Sequence, residues 1–324
     1  MANDDKIEFE LLENGLDFII SGLEYITSKS PTKRDLKYCV LHLYSGIELI
    51  LKERLMREHW SLIFAQINNA NKEDLKTCDF KSVGLEDSIN RLKNICGISL
   101  DPKEAKHLIA FRKKRNMLEH YAIKDSEESL KSALSKLLKI IIDFLSNEIP
   151  PDNLTSEENY MIKTIRSKLS YFDEFVQERS AEIHTQLEEV DKEPYRYRVE
   201  CPFCYEEALI VGDGNPPKCL FCGYTSEVED VVKEFMDSVM SINSFMLLKD
   251  GGELPLHDCP ECGLDALVEY YNFFPKKYVC FSCGQNWGES EISDCMSCGR
   301  LYDPGVHDSP MCVTCIEIRM EKDK

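Results

Sequence analysis

Residues 201-CPFCYEEALIVGDGNPPKCLFCG-223 hold two Cys-x-x-Cys knuckles, Cys201/Cys204 and Cys219/Cys222, separated by 14 residues. Two thiolate pairs at this interval suit a zinc ribbon, in which the tips of two hairpins close one tetrahedral site. The pattern recurs twice. Cys259/Cys262 and Cys280/Cys283 lie 17 residues apart, and Cys295/Cys298 and Cys312/Cys315 lie 13 apart. A glycine follows the knuckle at Gly223, Gly263, Gly284 and Gly299, where a turn with positive φ lets backbone N–H groups approach sulfur.

With four sulfur ligands no position is open for water, so the sites are expected to hold three structural Zn2+ ions and no catalytic metal. Disulfides would require an oxidising compartment, and iron–sulfur clusters use other spacings as a rule. Pairing in chain order is the simplest arrangement, although Cys280/Cys283 could instead close with Cys295/Cys298 and strand two other pairs. His257 and His307 lie near the knuckles but are not needed as ligands.

Outward from this region the chain changes character. Of 15 cysteines in 324 residues, only Cys39, Cys78 and Cys96 precede residue 194. The formal charge of −19 divides into −7 for residues 1–193 and −12 for 194–324. So acidic a chain argues against a broadly nucleic-acid-coating surface, which needs many Lys and Arg contacts. No stretch approaches the ~20 apolar residues of a membrane span. The start, MANDDKIEFE, lacks the basic and apolar regions of a signal peptide, so a cytoplasmic protein is expected.

The first half reads as helices. Leu12, Leu16, Ile19, Ile20, Leu23 and Ile26 recur at helical spacing, as do Leu36, Val40, Leu43, Ile47, Leu51 and Leu55. Pro31 suits the start of the second helix. A polar connection over 68–84 is followed by helical patterns at 85–96, 102–122 and 126–146, and Pro150-Pro151 closes the unit. Residues 155–190 read as one long helix with a seam at Ile162, Ile165, Leu169, Phe172, Val176, Arg179, Ile183, Gln186 and Val190. A 3.5-residue repeat calls for a partner helix, in its own domain or in a second copy.

The expected architecture is therefore mainly α: a helical domain at 1–150 and a long heptad-patterned helix at 151–193, followed by β-hairpin zinc ribbons. The ribbons fall at 194–226, 256–290 and 291–324, with a helical spacer at 227–255. The run 195-YRYR-198 could stack on single-stranded bases or form a strand entering ribbon one. The acidic ribbon half favours protein partners over nucleic acid.

One segment breaks the acidic trend. Residues 112-RKKRNMLEHY-121 place Arg112, Asn116 and His120 at i, i+4 and i+8 on one helix face, with Arg115 flanking it. Cations beside one imidazole suit a phosphodiester cut by its own 2′-hydroxyl. The imidazole moves the proton and guanidinium stabilises the charge building on phosphorus. Arg112, Lys113, Lys114 and Tyr121 are the candidate substrate-binding groups.

The run 115-RNMLEH-120 resembles the Arg-x4-His motif, with a polar residue after the Arg, of HEPN-domain ribonucleases, and the likeness covers about residues 7–148. It extends to 46-GIELILKERL-55, which is similar to the stretch carrying an acidic residue near that family's active site. The resemblance implies an all-helical, metal-independent endoribonuclease with Arg115 and His120 catalytic, Asn116 orienting them and Glu48 in support. It further implies a homodimer with two motifs facing each other, and a toxin or anti-phage setting. Ribbons would then recognise a protein partner or trigger. In family toxins paired with a nucleotidyltransferase antitoxin a Tyr lies two residues after the His, whereas here that position is Ala122. The other reading is a non-catalytic dimeric adaptor whose ribbons bind protein or nucleic acid.

Overall fold

The computed structural model describes residues 8–122, 125–249, 251–273, 276–306 and 309–322. His307, discounted above as a metal ligand, lies outside them. The chain divides into two compact units, 1–181 and 182–324.

In the first unit, α1 (Leu11–Ile26) and α2 (Lys33–Glu58) form an antiparallel hairpin. Thr32 and Asp35 close a reciprocal capping box at the start of α2, which satisfies donors the helix leaves orphaned. Pro31 thus precedes the cap rather than opening the helix. Gly15, Gly22 and Gly46 let the two helices approach closely: a Cβ on Gly46 would meet the Ile19 side chain at 2.3 Å. Ile19, Leu23, Leu43, Ile47 and Ile50 are fully buried along this contact, each contributing roughly 1.5–3 kcal/mol of apolar burial.

The polar connection after α2 contains two 3-10 turns and a short helix, α3 (Lys72–Thr77), then α4 (Leu85–Asn94). Asp101 caps α5 (Pro102–His120), whose first residue is a proline, and Ser126 caps α6 (Glu127–Glu148). Both α5 and α6 pack on α2 and on each other.

In place of a single long helix at 155–190, the chain forms α7 (Ser156–Leu169) and α8 (Asp173–Val190). Around the break the Ser167 and Ser170 hydroxyls bond backward to carbonyls three residues earlier. Such local bonds compete with the helix. Asp173 and Glu174 then provide the acidic first turn that favours a new start. The break lets α7 pack on α1 while α8 meets α6 through Ser132–Glu178, Lys131–Glu174 and Arg179–Asp143. Ile162, Ile165, Leu169, Phe172, Ile183 and Val190 are buried within the chain, so most of the seam is already covered.

The second unit takes in the end of α8 and continues with a three-stranded antiparallel sheet, β1 (Arg196–Val199), β2 (Leu209–Gly212) and β3 (Lys218–Cys219). The spacer holds α9 (Val228–Ser238) and α10 (Ser244–Lys249). Next comes a four-stranded antiparallel sheet, β4 (Leu256–Asp258), β5 (Asp265–Glu269), β6 (Tyr278–Cys280) and β7 (Asn286–Trp287). The spacer is no free linker: α9 packs on β5, and Phe235 sits edge-on to Tyr270 and Phe281. A short pair, β8 (Ser293–Asp294) and β9 (Leu301–Tyr302), leads to α11 (Val313–Lys322).

The first two ribbons are joined. Gly212 and Gly214 donate to the carbonyls of Phe281 and Ser282 at 3.0 and 2.9 Å, and Asn286 donates to the Tyr197 hydroxyl. Gly284 makes the approach possible, since a Cβ there would fall 1.6 Å from the Tyr195 carbonyl oxygen. Among the described residues no helix is long and apolar enough to cross a membrane.

Candidate functional site

The twelve knuckle cysteines form three sets of four, with the sulfurs of each set within 4.8 Å of one another. They pair in chain order. Cys201–Cys222, Cys204–Cys219, Cys259–Cys283, Cys262–Cys280 and Cys298–Cys312 have Sγ–Sγ separations of 3.7 to 3.8 Å. A disulfide would need about 2.05 Å, whereas four sulfurs placed tetrahedrally ~2.3 Å from one ion stand about 3.8 Å apart. These are three structural metal sites, complete without any histidine. His257 instead faces Glu269 at 3.4 Å.

Local backbone explains the geometry. Gly223, Gly263, Gly284 and Gly299 all have φ near +70°, and each donates to the carbonyl of the first knuckle cysteine at 2.8–3.0 Å. At the first knuckle Tyr205, φ 62°, takes this place. The sixth knuckle differs. Ile316 follows Cys315, and its N–H bonds back to Cys312 in the first turn of α11. The third module is therefore not a ribbon of two hairpin tips: one knuckle lies in a turn and the other at a helix start. Burial decreases along the chain, from four buried cysteines in the first set to one in the third. Burial and the crowding thiols push the Cys219 thiol far above its ordinary range, a cost that a bound cation removes.

The arginines of 195–198 serve the fold. They lie on β1, where Arg196 pairs with Glu193 and Asp213 and Arg198 pairs with Asp191.

In the helical unit, α2 and α5 bring the candidate catalytic groups together. Tyr44 and Glu48 lie one turn apart on α2, and the buried Tyr44 hydroxyl donates to Glu48 Oε1 at 3.0 Å. The Arg115 guanidinium, from α5, stands 5.0 Å from the Tyr44 ring centroid, within cation–π range. Arg115 Nη1 donates to Asn116 Oδ1 at 3.0 Å and pairs with Glu119 at 2.5 Å. The same Glu119 oxygen lies 3.3 Å from His120 Nε2. Glu48, Tyr44, Arg115, Asn116, Glu119 and His120 thus form one connected set.

The His120 side chain is 68% exposed at the C-terminal end of α5. Tyr121 is 92% exposed just beyond it. Burial, reinforced by the Glu48 charge, pushes the Tyr44 phenol well above its ordinary range, against the pull of Arg115 and Arg112. Tyr44 is therefore a neutral donor at physiological pH.

Arg112 and Lys114 are less available. Arg112 is drawn to Glu86 on α4 at 2.8 Å, so it ties two helices rather than lining up with Asn116 and His120. Lys114 pairs with Asp125 and reaches Ser129 at 3.4 Å, and its hydrogen bond holds the Asp125 carboxyl below the usual range. Lys113 and Asn116 are exposed. Tyr44 and Glu119 escaped the sequence reading. Tyr44 sits one turn before Glu48, and that i, i+4 spacing was the available signal.

Comparisons of the chain with protein-family models, curated proteins and solved structures gave no match.

Proposed function

We propose that the protein is a metal-independent endoribonuclease of HEPN type, acting as a homodimer in the cytoplasm as a toxin or anti-phage effector. The observation carrying this reading is the convergence of Glu48, Tyr44, Arg115, Asn116 and His120 between α2 and α5, with His120 open to solvent. The RNA 2′-oxygen attacks its own phosphorus while the bond to the 5′-oxygen breaks. The products are a 2′,3′-cyclic phosphate and a 5′-hydroxyl. Two motifs facing each other across a dimer supply one imidazole to take the 2′-hydroxyl proton and one to protonate the leaving oxygen. Arg115, steadied by the Tyr44 ring and by Asn116, stabilises charge on the phosphoryl oxygens. Each four-cysteine set holds a structural Zn2+, and the modules so built recognise a protein partner or trigger.

Cleavage of labelled RNA by purified protein tests the assignment. The wild type cuts in EDTA, and His120→Ala loses on the order of 10²-fold or more; equal rates for the two would refute the site. The Glu119 carboxylate, which occupies both Arg115 and His120, favours a second reading, a non-catalytic dimeric adaptor. That reading predicts intact RNA under every activating condition.

A further inference from the structure

A cavity of about 490 Å³ opens between the second and third metal modules, within the range of ligand pockets. Its apolar lining includes Trp287 and Tyr302, both buried, and two exposed groups from α11, Val313 and Ile318, at 47% and 49% exposure. Its charged lining is one-sided. Among its described lining residues, Asp258, Glu261 and Asp303 stand against one cation, Arg300, which is already paired with Asp258 at 3.3 Å. Cysteines of both metal sets also line it, and four thiolates around a divalent ion retain two negative charges at each site. Asp303 is held in place by the Trp287 indole N–H at 3.3 Å and the Gly305 N–H at 2.7 Å.

Apolar walls with surplus negative charge suit one class of ligand and repel another. We propose that this groove binds a peptide segment of a partner protein that carries Lys or Arg beside a branched or aromatic apolar side chain. The apolar group buries against Ile318 and Val313, and the cation meets Glu261 and Asp303. Phosphate-bearing RNA is disfavoured by like charge. The inference rests on the reading of these modules as recognition elements and names their ligand.

The test is selection of a displayed library of random twelve-residue peptides on immobilised, metal-loaded full-length protein. Selected peptides are then measured by fluorescence anisotropy against wild type, Glu261→Lys and Ile318→Glu, with metal content verifying that each variant is folded. Both substitutions fall on exposed side chains. The expected result is enrichment of basic and apolar residues, a tenfold or greater loss of affinity in each variant, weakening with added salt and no competition from single-stranded RNA. Enrichment of acidic peptides, competition by RNA or absence of any enrichment would overturn the proposal. Basic peptides that bind both variants as tightly as wild type would reject this groove while leaving recognition by the modules standing. RNA cleavage plays no part in the readout, so the ribonuclease reading stands or falls separately.

Discussion

The two units solve the stability problem by different means. The helical unit buries long apolar stripes, such as Ile19, Leu23, Leu43 and Ile47 along the α1–α2 contact. The cysteine-rich unit has strands of two to five residues and places its sulfurs where helices place leucines. In its second module Cys259 and Cys280 share a cluster with Leu267, Tyr278 and Trp287. Small modules of this kind cannot bury enough apolar surface to fold unaided, so metal binding becomes folding free energy. One unit is therefore sensitive to volume and the other to ligand chemistry.

The largest effect that could break this contrast is the loss of one sulfur. Cys219→Ser, in the fully buried first set, is expected to remove one of three metals and several kcal/mol of folding free energy in ribbon one. Because Gly212 and Gly214 bond to Phe281 and Ser282, amide exchange should also speed up in ribbon two while the helical unit keeps its protection. Native mass spectrometry and hydrogen exchange read both. In the third set, where only Cys295 is buried, metal should be the first surrendered to a chelator.

Gly46→Ala probes the other unit. The added methyl collides with Ile19 and with the Gly15 carbonyl, and overpacking of this kind costs about 1–3 kcal/mol. Urea unfolding should record that loss with metal content unchanged at three per chain. If metal content falls as well, the two units are not energetically distinct.

The smallest effect concerns catalysis. Tyr44→Phe keeps the ring beneath Arg115 but removes the hydroxyl bond to Glu48, worth about 1 kcal/mol, so RNA cleavage should fall by about fivefold. Tyr44→Leu also removes the cation–π contact and should fall further. A larger loss for Phe than for Leu would contradict the positioning role given to the ring.

How much of this was legible in the sequence differs between the units for physical reasons. Metal ligands declare themselves, because sulfur chemistry and turn geometry fix both residue type and spacing; all twelve cysteines meet as their order suggests. The departure of the third module had no such signal, because glycine is missing after Cys315 but also after Cys204, where Tyr205 makes the ordinary turn. The helices were legible from their three- and four-residue spacing. The break between α7 and α8 was not, because the apolar repeat runs unbroken through Leu169 and Phe172, and local serine back-bonds like those at Ser167 and Ser170 also occur inside unbroken helices, as at Ser45 in α2. Tyr44 was hidden for a different reason. A tyrosine on a buried helix face looks like any core aromatic until the helix supplying Arg115 is placed against it.

Sequencing of RNA 5′-hydroxyl ends after induction of the wild type and of His120→Ala tests the central claim most directly. The account predicts new 5′-hydroxyl ends at defined sites with the wild type and none above background with the variant. The same ends from both proteins, or none from either once the activating signal is present, would contradict it.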